Sequence, residues 1–213
     1  MHFGTFFRRA SLASVAALSA GMACAQTFAG GGIGVSVLSE AAKASTTSIG
    51  AAASLYHAGK GPIAHGFAGW RLHEYAAIQG QYVWTRNAVT YSTLRGGPSG
   101  ASLLEQRTDV SQHQAGGDFL LYFRDSKSWI QPFLSVGLGV TRFSGSASAP
   151  RVSATKLGLR VAAGVDVMSK RGWGFRYAFL ETLGPNPIGD ALTPPATKGL
   201  MTFTNLFGVI WQR

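Results

Sequence analysis

Cysteine, acidic residues and long apolar runs are all scarce in this chain. The single cysteine, Cys24, lies near the N-terminus, so a disulfide framework and a cysteine metal site are not expected. After residue 25, no stretch reaches the ~18 uninterrupted apolar residues of a membrane helix. Even so, 46% of the residues are hydrophobic and only 13% are charged. These values exclude a bundle of membrane helices and favour strands in which apolar and polar residues alternate.

The first 25 residues have the regions of an export signal. A pair of arginines precedes the apolar stretch Ala10 to Ala20, and Ala23-Cys24-Ala25 forms an A-x-A cleavage site. The stretch is too short to span a bilayer, and a retained anchor and lipid attachment at Cys24 are the alternatives. We expect residues 1–25 to be cleaved and residues 26–213 to form a single domain.

Alternation at period two identifies strands in the second half of the chain. Between Lys156 and Ser169 the leucines and valines fall on one face, whereas Gly158, Arg160 and Asp166 fall on the other. The six clearest strands are Tyr75 to Tyr91, Gln112 to Phe123, Trp129 to Phe143, Thr155 to Ser169, Trp173 to Thr182 and Leu200 to Arg213. Their connections alternate between tight turns and segments of about ten or more residues, as in outer-membrane barrels with long loops outside the cell.

Two further strands complete an even count. We assign them to Phe28 to Leu38 and Pro62 to Leu72, which predicts an all-β, eight-stranded antiparallel up-and-down transmembrane β-barrel. Ser48 to Tyr56 also alternates, so a count of ten strands stays open. A soluble β-sandwich or a lipocalin-like barrel is the alternative fold.

Several motifs together resemble the OmpA/OmpX-type family of small outer-membrane barrels. They are Gln131 to Gly139, Leu157 to Val167, Gly172 to Tyr177, and the hairpin from Gly69-Trp70-Arg71-Leu72 to Gln79-Gly80-Gln81-Tyr82. The resemblance implies a porin-like barrel in the outer membrane of a Gram-negative bacterium. It supports the fold more than the function.

The last strand carries a second resemblance to this family. Phe203, Phe207, Val209 and Trp211 share one face, as in the family's signal for the barrel-insertion machinery. The final residue of such proteins is usually aromatic, whereas here it is Arg213. The resemblance implies that the insertion machinery is a partner.

Polar residues on the inferred inward faces form a candidate lumen cluster. Its members are Arg71, Gln79, Gln81, Gln114, Asp118, Arg160, Asp166 and Arg176. Eight strands enclose an interior that side chains fill, so inward charges are expected to pair. Asp118 is the expected partner of Arg160, because Asp166 lies six residues, about 20 Å, along the same strand. A polar plug is favoured over a gate that re-pairs to admit water or ions.

Two outward arginines, Arg86 and Arg142, lie where their strands reach the outer loops. An arginine on the lipid face costs ~2–4 kcal/mol at mid-membrane and about 0–1 near the interface. We therefore expect both side chains at head-group level, with simple snorkelling and contact with lipopolysaccharide phosphates as the two explanations.

Catalysis and nucleic-acid binding have little support. Asp109, Ser111 and His113 permit a Ser/His hypothesis, but nucleophilic catalysis needs a defined geometry, so no catalytic, cofactor or metal site is expected. Although lysine and arginine number 19 against nine acidic residues, the assigned outer loops are almost neutral. A nucleic-acid surface needs a clustered basic stripe, and none is expected here.

These observations predict a bacterial outer-membrane barrel with a structural or surface-interaction role and a closed, polar-filled lumen. The alternatives are a small-solute or ion-conducting pore and a lipid-modifying outer-membrane enzyme. The expected partners are outer-membrane lipid, including lipopolysaccharide, and the barrel-insertion machinery. We expect a monomer.

Overall fold

A computed structural model describes residues 26–47, 50–97, 100–145, 152–196 and 198–213. The predicted export signal and Cys24 lie outside the described residues. The strands are β1 (Thr27–Leu38), β2 (Ala41–Thr47), β3 (Gly50–Ala58), β4 (Gly61–His73), β5 (Ala76–Gly97), β6 (Gly100–Tyr122), β7 (Ile130–Gly145), β8 (Ser153–Met168), β9 (Trp173–Gly184) and β10 (Leu200–Gln212). One short helix, α1 (Pro187–Asp190), precedes β10. Among the described residues, no helix is long and apolar enough to cross a membrane.

Eight of the ten strands close into a ring. Neighbours pair antiparallel in the order β1, β4, β5, β6, β7, β8, β9 and β10, and β10 then pairs with β1 from Phe28↔Gln212 to Leu38↔Thr202. This closure leaves no open edge in the ring. The predicted eight-stranded antiparallel barrel is confirmed.

The remaining two strands explain why a count of ten stayed open in the sequence. Strands β2 and β3 form a hairpin outside the ring, and β3 pairs with the far half of β5 from Ala51↔Gly96 to Ala58↔Val89. Strand β6 continues beside β5 to the pair Gly97↔Gly100. The stretch Thr93 to Arg107, which lies between two of the predicted strands, is therefore mostly strand, because β3 and β6 supply pairing partners.

The two ends of the barrel differ. Tight connections lie at one end, the short-turn end: residues 74–75, 123–129 and 169–172. The other end, which we call the long-loop end, contains the β2–β3 hairpin, the extensions of β5 and β6, and residues 185–199. This alternation of connection lengths matches the prediction.

A hydrophobic cluster closes the long-loop end, and we call it the outer cap. Residues 186–196 run across the mouth and bury Ile188, Leu192 and Ala196 against Tyr56 and Tyr91. Inward residues of the ring join the same cluster, namely Leu38, Val89, Val110, Phe143 and Leu200. The outer cap therefore sits over the interior of the barrel rather than beside it.

Polar contacts hold the outer cap in place. Tyr56 Oη donates to Ser39 O at 2.7 Å and accepts from Asn186 Nδ2 at 3.0 Å, while Ser54 Oγ donates to Pro194 O at 2.8 Å. Burial raises the pKa of Tyr56, so the phenol stays protonated and keeps its role as a donor. The cap is thus anchored to β3 by both packing and hydrogen bonds.

The outer wall of the ring is apolar and exposed. Phe175 is 71% exposed, Phe207 60% and Leu138 57%, and they belong to a band that continues on every ring strand. Soluble proteins rarely expose an apolar surface of this extent. The soluble sandwich and lipocalin-like alternatives are therefore disfavoured.

The residues of the proposed insertion signal lie on this outer wall. Phe207 and Val209 are exposed, and Phe203 and Trp211 are half-buried among aromatic neighbours on β9. Ring centroids lie 4.9 Å apart for Tyr177 and Phe207 and 6.2 Å apart for Phe179 and Phe203. The four residues form part of a continuous aromatic surface across β9 and β10.

Candidate functional site

The interior of the barrel contains a buried ion pair near the middle of β8. Arg160 is fully buried, and its Nε lies 3.2 Å from Asp118 Oδ1, two strands away on β6. The pair is a charge contact without hydrogen-bond alignment, because Arg160 Nε and Asp118 Oδ1 have no hydrogen-bond partner among the described residues. Arg160 Nη1 donates to Gln114 Oε1 at 2.7 Å. We call this group the outer layer.

Glycines on the intervening strand β7 make the contact between β6 and β8 feasible. A Cβ at Gly139 would lie 2.8 Å from Arg160 Cδ, and one at Gly137 would collide with the Asp118 carboxylate. Because these β7 glycines have no side chains, Arg160 and Asp118 can contact each other over β7.

Amides and hydroxyls complete the outer layer. The Gln81 side chain donates a hydrogen bond to Asp118 Oδ2, and its Oε1 lies 2.6 Å from His65 Nε2. Gln114 Nε2 donates to Thr141 Oγ1 at 3.0 Å and to Thr182 Oγ1 at 3.2 Å. The outer layer thus links β4, β5, β6, β7, β8 and β9.

A second ion pair, the inner layer, lies closer to the short-turn end. Arg176 Nε and Nη2 donate to the two oxygens of Asp166 at 2.6 and 2.7 Å, and Nη1 donates to Gln79 Oε1 at 2.6 Å. Tyr122 Oη donates to Asp166 Oδ2 at 3.2 Å. The pair is bidentate, a strong arrangement for arginine and a carboxylate.

Aromatic rings surround the inner layer. The Arg176 guanidinium lies 4.2 Å from the centroid of Phe67 and 4.8 Å from that of Phe133. Cation–π contacts of this kind are stronger in a desolvated site. Arg176 is therefore held by its charge partner and by the apolar part of the interior.

Arg71 occupies a third position, nearest the short-turn end, without a carboxylate partner among the described residues. Its Nη2 donates to Gln131, its Nη1 donates to Glu74 O at 3.1 Å, and its guanidinium lies 3.8 Å from the centroid of Tyr122. Carbonyl oxygens and a ring face compensate its charge.

The structure places all eight predicted lumen residues on the inner wall and adds five polar partners that the sequence did not single out. These are His65, Tyr122, Gln131, Thr141 and Thr182, which face inward by the same alternation. Counting every polar residue on the inward face, rather than mainly the charged ones, is the signal that identifies them.

The proposed head-group residues lie on the outer wall, on the side of the long-loop end. Arg86 and Arg142 are both exposed. Arg86 Nη2 lies 2.7 Å from Asp109 Oδ2, whereas no described acidic side chain lies within salt-bridge distance of Arg142. His113 lies directly opposite Arg142 across β6 and β7, and its Nδ1 is 2.6 Å from Tyr82 Oη.

These contacts oppose the Ser/His hypothesis. Asp109 and His113 are four residues apart on β6, about 13 Å at ~3.3 Å per residue, so they cannot form a hydrogen bond. Asp109 instead contacts Arg86, and His113 contacts Tyr82. Ser111, His113 and Asp109 therefore form no triad. The described residues also contain no group of three or more His, Cys, Asp or Glu that could hold a metal ion.

A family model described as outer membrane protein beta-barrel domain matches residues 10–189. The chain belongs to this family. It is therefore a protein of the bacterial outer membrane, and the resemblance to OmpA/OmpX-type barrels is confirmed. In such barrels the short turns face the periplasm and the long loops face the cell exterior.

Solved structures of the same architecture agree with this family assignment. Neisserial surface protein A is 16% identical, with 87% of this chain and 96% of that chain covered and a TM-score of 0.52. OprG from Pseudomonas aeruginosa is 12% identical, with 89% and 96% covered and a TM-score of 0.53. The N-terminal β-barrel domain of OprF from Pseudomonas aeruginosa is 11% identical, with 88% and 97% covered and a TM-score of 0.52. These likenesses show the fold alone. No curated protein matches the chain.

Proposed function

We propose that this outer-membrane barrel is a closed, non-enzymatic scaffold with a structural and surface-interaction role. Two layers of buried ion pairs and amides that reach across the ring, together with the outer cap at its exterior end, support the proposal. A scaffold needs a rigid wall and an exterior surface, and the paired extensions of β3, β5 and β6 provide such a surface.

The free space around the two layers supports closure. One cavity beside Gln112, Thr141 and Thr182 and another between the layers, beside His65 and Gln81, each have a volume of about 20 Å³. About 10–15 Å³ is needed for a single water molecule. A continuous water path would require each ion pair to separate, and an unpaired buried charge costs several kcal/mol. This cost disfavours the pore, the second candidate.

Solute exclusion tests the proposal. Liposomes that contain the purified protein are expected to swell in an isosmotic solution of a small sugar no faster than protein-free liposomes. A general porin in the same lipid serves as the positive control. Swelling that increases with the amount of protein would contradict the closed scaffold and favour the pore.

The lipid partner is part of the same proposal. The Arg142 guanidinium lies on the lipid-facing wall without a described carboxylate within salt-bridge distance, so an anion of the lipid can compensate its charge. A lipopolysaccharide phosphate at head-group level is such an anion. Arg86 contributes less, because Asp109 already compensates its charge.

Replacing both arginines by glutamine should weaken lipopolysaccharide binding in a salt-dependent way. The expected loss is about two- to fivefold for Arg142→Gln and smaller for Arg86→Gln, as for exposed ion pairs. Native mass spectrometry of the detergent-solubilised protein with phosphorylated and dephosphorylated lipid A measures it. Arg124→Gln with Arg171→Gln removes the same charge at the periplasmic end and should have no effect. An equal loss in this control would contradict a specific contact.

Assembly and stoichiometry complete the proposal. The outward aromatic surface at Phe203, Phe207, Val209 and Trp211 supports recognition by the barrel-insertion machinery. The continuous pairing around the ring, from β1 to β10 and back to β1, supports a monomer.

A further inference from the structure

A cavity of about 480 Å³ opens at the periplasmic end of the barrel, and we call it the periplasmic vestibule. It lies below Arg71, where Gln131 bridges Arg71 to the turn before β7 by donating to Ser126 O at 3.0 Å and Ser128 O at 2.8 Å. The interior above it is filled by the inner layer. The vestibule is lined by periplasmic turns and strand ends, and none of its lining residues belongs to the ion-pair layers or to the exterior surface.

Two lysines give the vestibule a positive charge. Lys127, in the turn between β6 and β7, and Lys170, in the turn between β8 and β9, both line the cavity and are exposed. No described carboxylate lies within salt-bridge distance of either lysine. Two ammonium groups that share one cavity and have no salt-bridge partner among the described residues are suited to bind an anionic group.

The nearest acid in sequence, Asp125, is already engaged within its own turn. Asp125 Oδ1 accepts hydrogen bonds from Ser128 N at 2.8 Å, Ser128 Oγ at 3.0 Å and Lys127 N at 3.0 Å. The hydrogen bond from the Ser128 side chain, followed by those from the backbone, holds the pKa of Asp125 below its usual value. Asp125 is a structural part of the turn; its described hydrogen bonds all go to Oδ1, and its charge offsets part of that of Lys127 without a salt bridge.

Neutral groups add donors and an apolar platform. Gln212 is 93% buried, lines the vestibule, and has a side-chain nitrogen without a hydrogen-bond partner among the described residues. A buried donor without a partner costs about 1–3 kcal/mol unless water or a ligand satisfies it. Trp129, at the rim, is 65% exposed, and an indole face can pack against the apolar face of a sugar ring.

We propose that the periplasmic vestibule binds an acidic glycopeptide of the cell wall. The lysines would receive a free carboxylate of the peptide, Gln212 and the serines of the turns would hydrogen-bond its amides, and Trp129 would pack against the sugar. This combination of an apolar surface with a few convergent polar groups is typical of ligand sites. The inference goes beyond the scaffold proposal and does not depend on whether the lumen conducts.

The position of the cavity distinguishes between two anionic partners, a cell-wall glycopeptide and an anionic lipid. Gln212 faces the barrel interior, as does Met168, and both line the vestibule. Phospholipid head groups surround the outer wall of a barrel instead of its axial mouth. A ligand that enters from the periplasm along the barrel axis is therefore favoured over an anionic lipid.

Calorimetry of the full-length protein in zwitterionic detergent with a soluble disaccharide–tetrapeptide from peptidoglycan tests the proposal. The combined change Lys127→Gln and Lys170→Gln should weaken binding about tenfold, as for loss of a charge-assisted hydrogen bond. Gln212→Leu should also weaken it. The matched control is Lys43→Gln with Lys60→Gln, which removes the same charge at the exterior end and should leave binding unchanged. A disaccharide–peptide with amidated carboxyl groups should bind the wild type about as weakly as the free acid binds the lysine variant.

Three results would overturn the proposal. They are absence of binding to the wild-type protein, an equal loss in the lysine variant and its control, and displacement of the glycopeptide by phosphatidylglycerol, which would identify the vestibule as a lipid site. Because both lysines are exposed in turns, the variants are expected to keep the wild-type circular dichroism spectrum, which checks that folding is unaffected.

Discussion

The Arg160→Ala variant is expected to lose roughly 3–5 kcal/mol of the free energy of unfolding, because the substitution leaves the Asp118 carboxylate buried without its charge partner. Gln81 would remain as a hydrogen-bond donor to Asp118, but it carries no compensating charge. Urea unfolding in detergent micelles, followed by tryptophan fluorescence, measures the change. Arg95→Ala removes an exposed arginine and should stay within about 0.5 kcal/mol of the wild type.

The double variant decides whether the loss belongs to the pair. Arg160→Ala combined with Asp118→Ala removes both charges, and much of the stability should return, because replacing both partners of a buried pair is far less costly than removing one. The two single effects should therefore be strongly non-additive. Effects that simply add would mean that the two residues are not coupled.

The largest single effect is expected at Arg176. Arg176→Ala leaves Asp166 unpaired, which costs roughly 3–5 kcal/mol, and it also removes the guanidinium from its contacts with Gln79 and Phe67. The loss should exceed that of Arg160→Ala, since the Arg176 pair is bidentate whereas the Arg160 pair lacks hydrogen-bond alignment. The same urea titration compares the two variants.

The Arg176→Lys variant tests whether the positive charge at this position or the bidentate geometry of the guanidinium stabilises the inner layer. An ammonium group restores the positive charge but cannot form two parallel hydrogen bonds to a carboxylate, so only part of the lost stability should return. Stability equal to that of the wild type would show that charge alone matters in the inner layer. Adding Asp166→Ala to Arg176→Ala should recover stability, as in the outer layer.

The fold was most predictable where one face of a strand meets lipid. In β9, Phe175, Tyr177 and Phe179 point outward and Arg176 points inward, as alternation indicated. The lipid face tolerates few polar residues, so the period of two is nearly unbroken there. The closure of β1 on β10 followed from the even count of strands.

The region before β4 was harder to interpret because its residues are small. Strands β2 and β3 contain many alanines and serines, which alternate weakly, and their pairing depends on how far β5 continues beyond the membrane. The burial of Ile188 in the outer cap was equally inaccessible from the sequence. It depends on Tyr56 and Tyr91, which lie far earlier in the chain.

The membership of the lumen cluster was accessible from the sequence, but most of its contacts were not. Alternation places Arg71 and Arg176 inside, whereas the stagger between strands decides which groups they meet. The partner of Arg71 is an amide, Gln131, rather than an acid, and charge pairing alone gives no reason to expect it.

Single-channel recording in planar bilayers shows whether the paired charges keep the lumen closed. We predict that the wild-type protein, inserted and folded, gives no stepwise conductance, whereas a variant that lacks both ion pairs, with Arg160, Asp118, Arg176 and Asp166 all replaced by alanine, shows higher ion flux. Stepwise channels from the wild-type protein, at a frequency proportional to the amount inserted, would contradict this prediction.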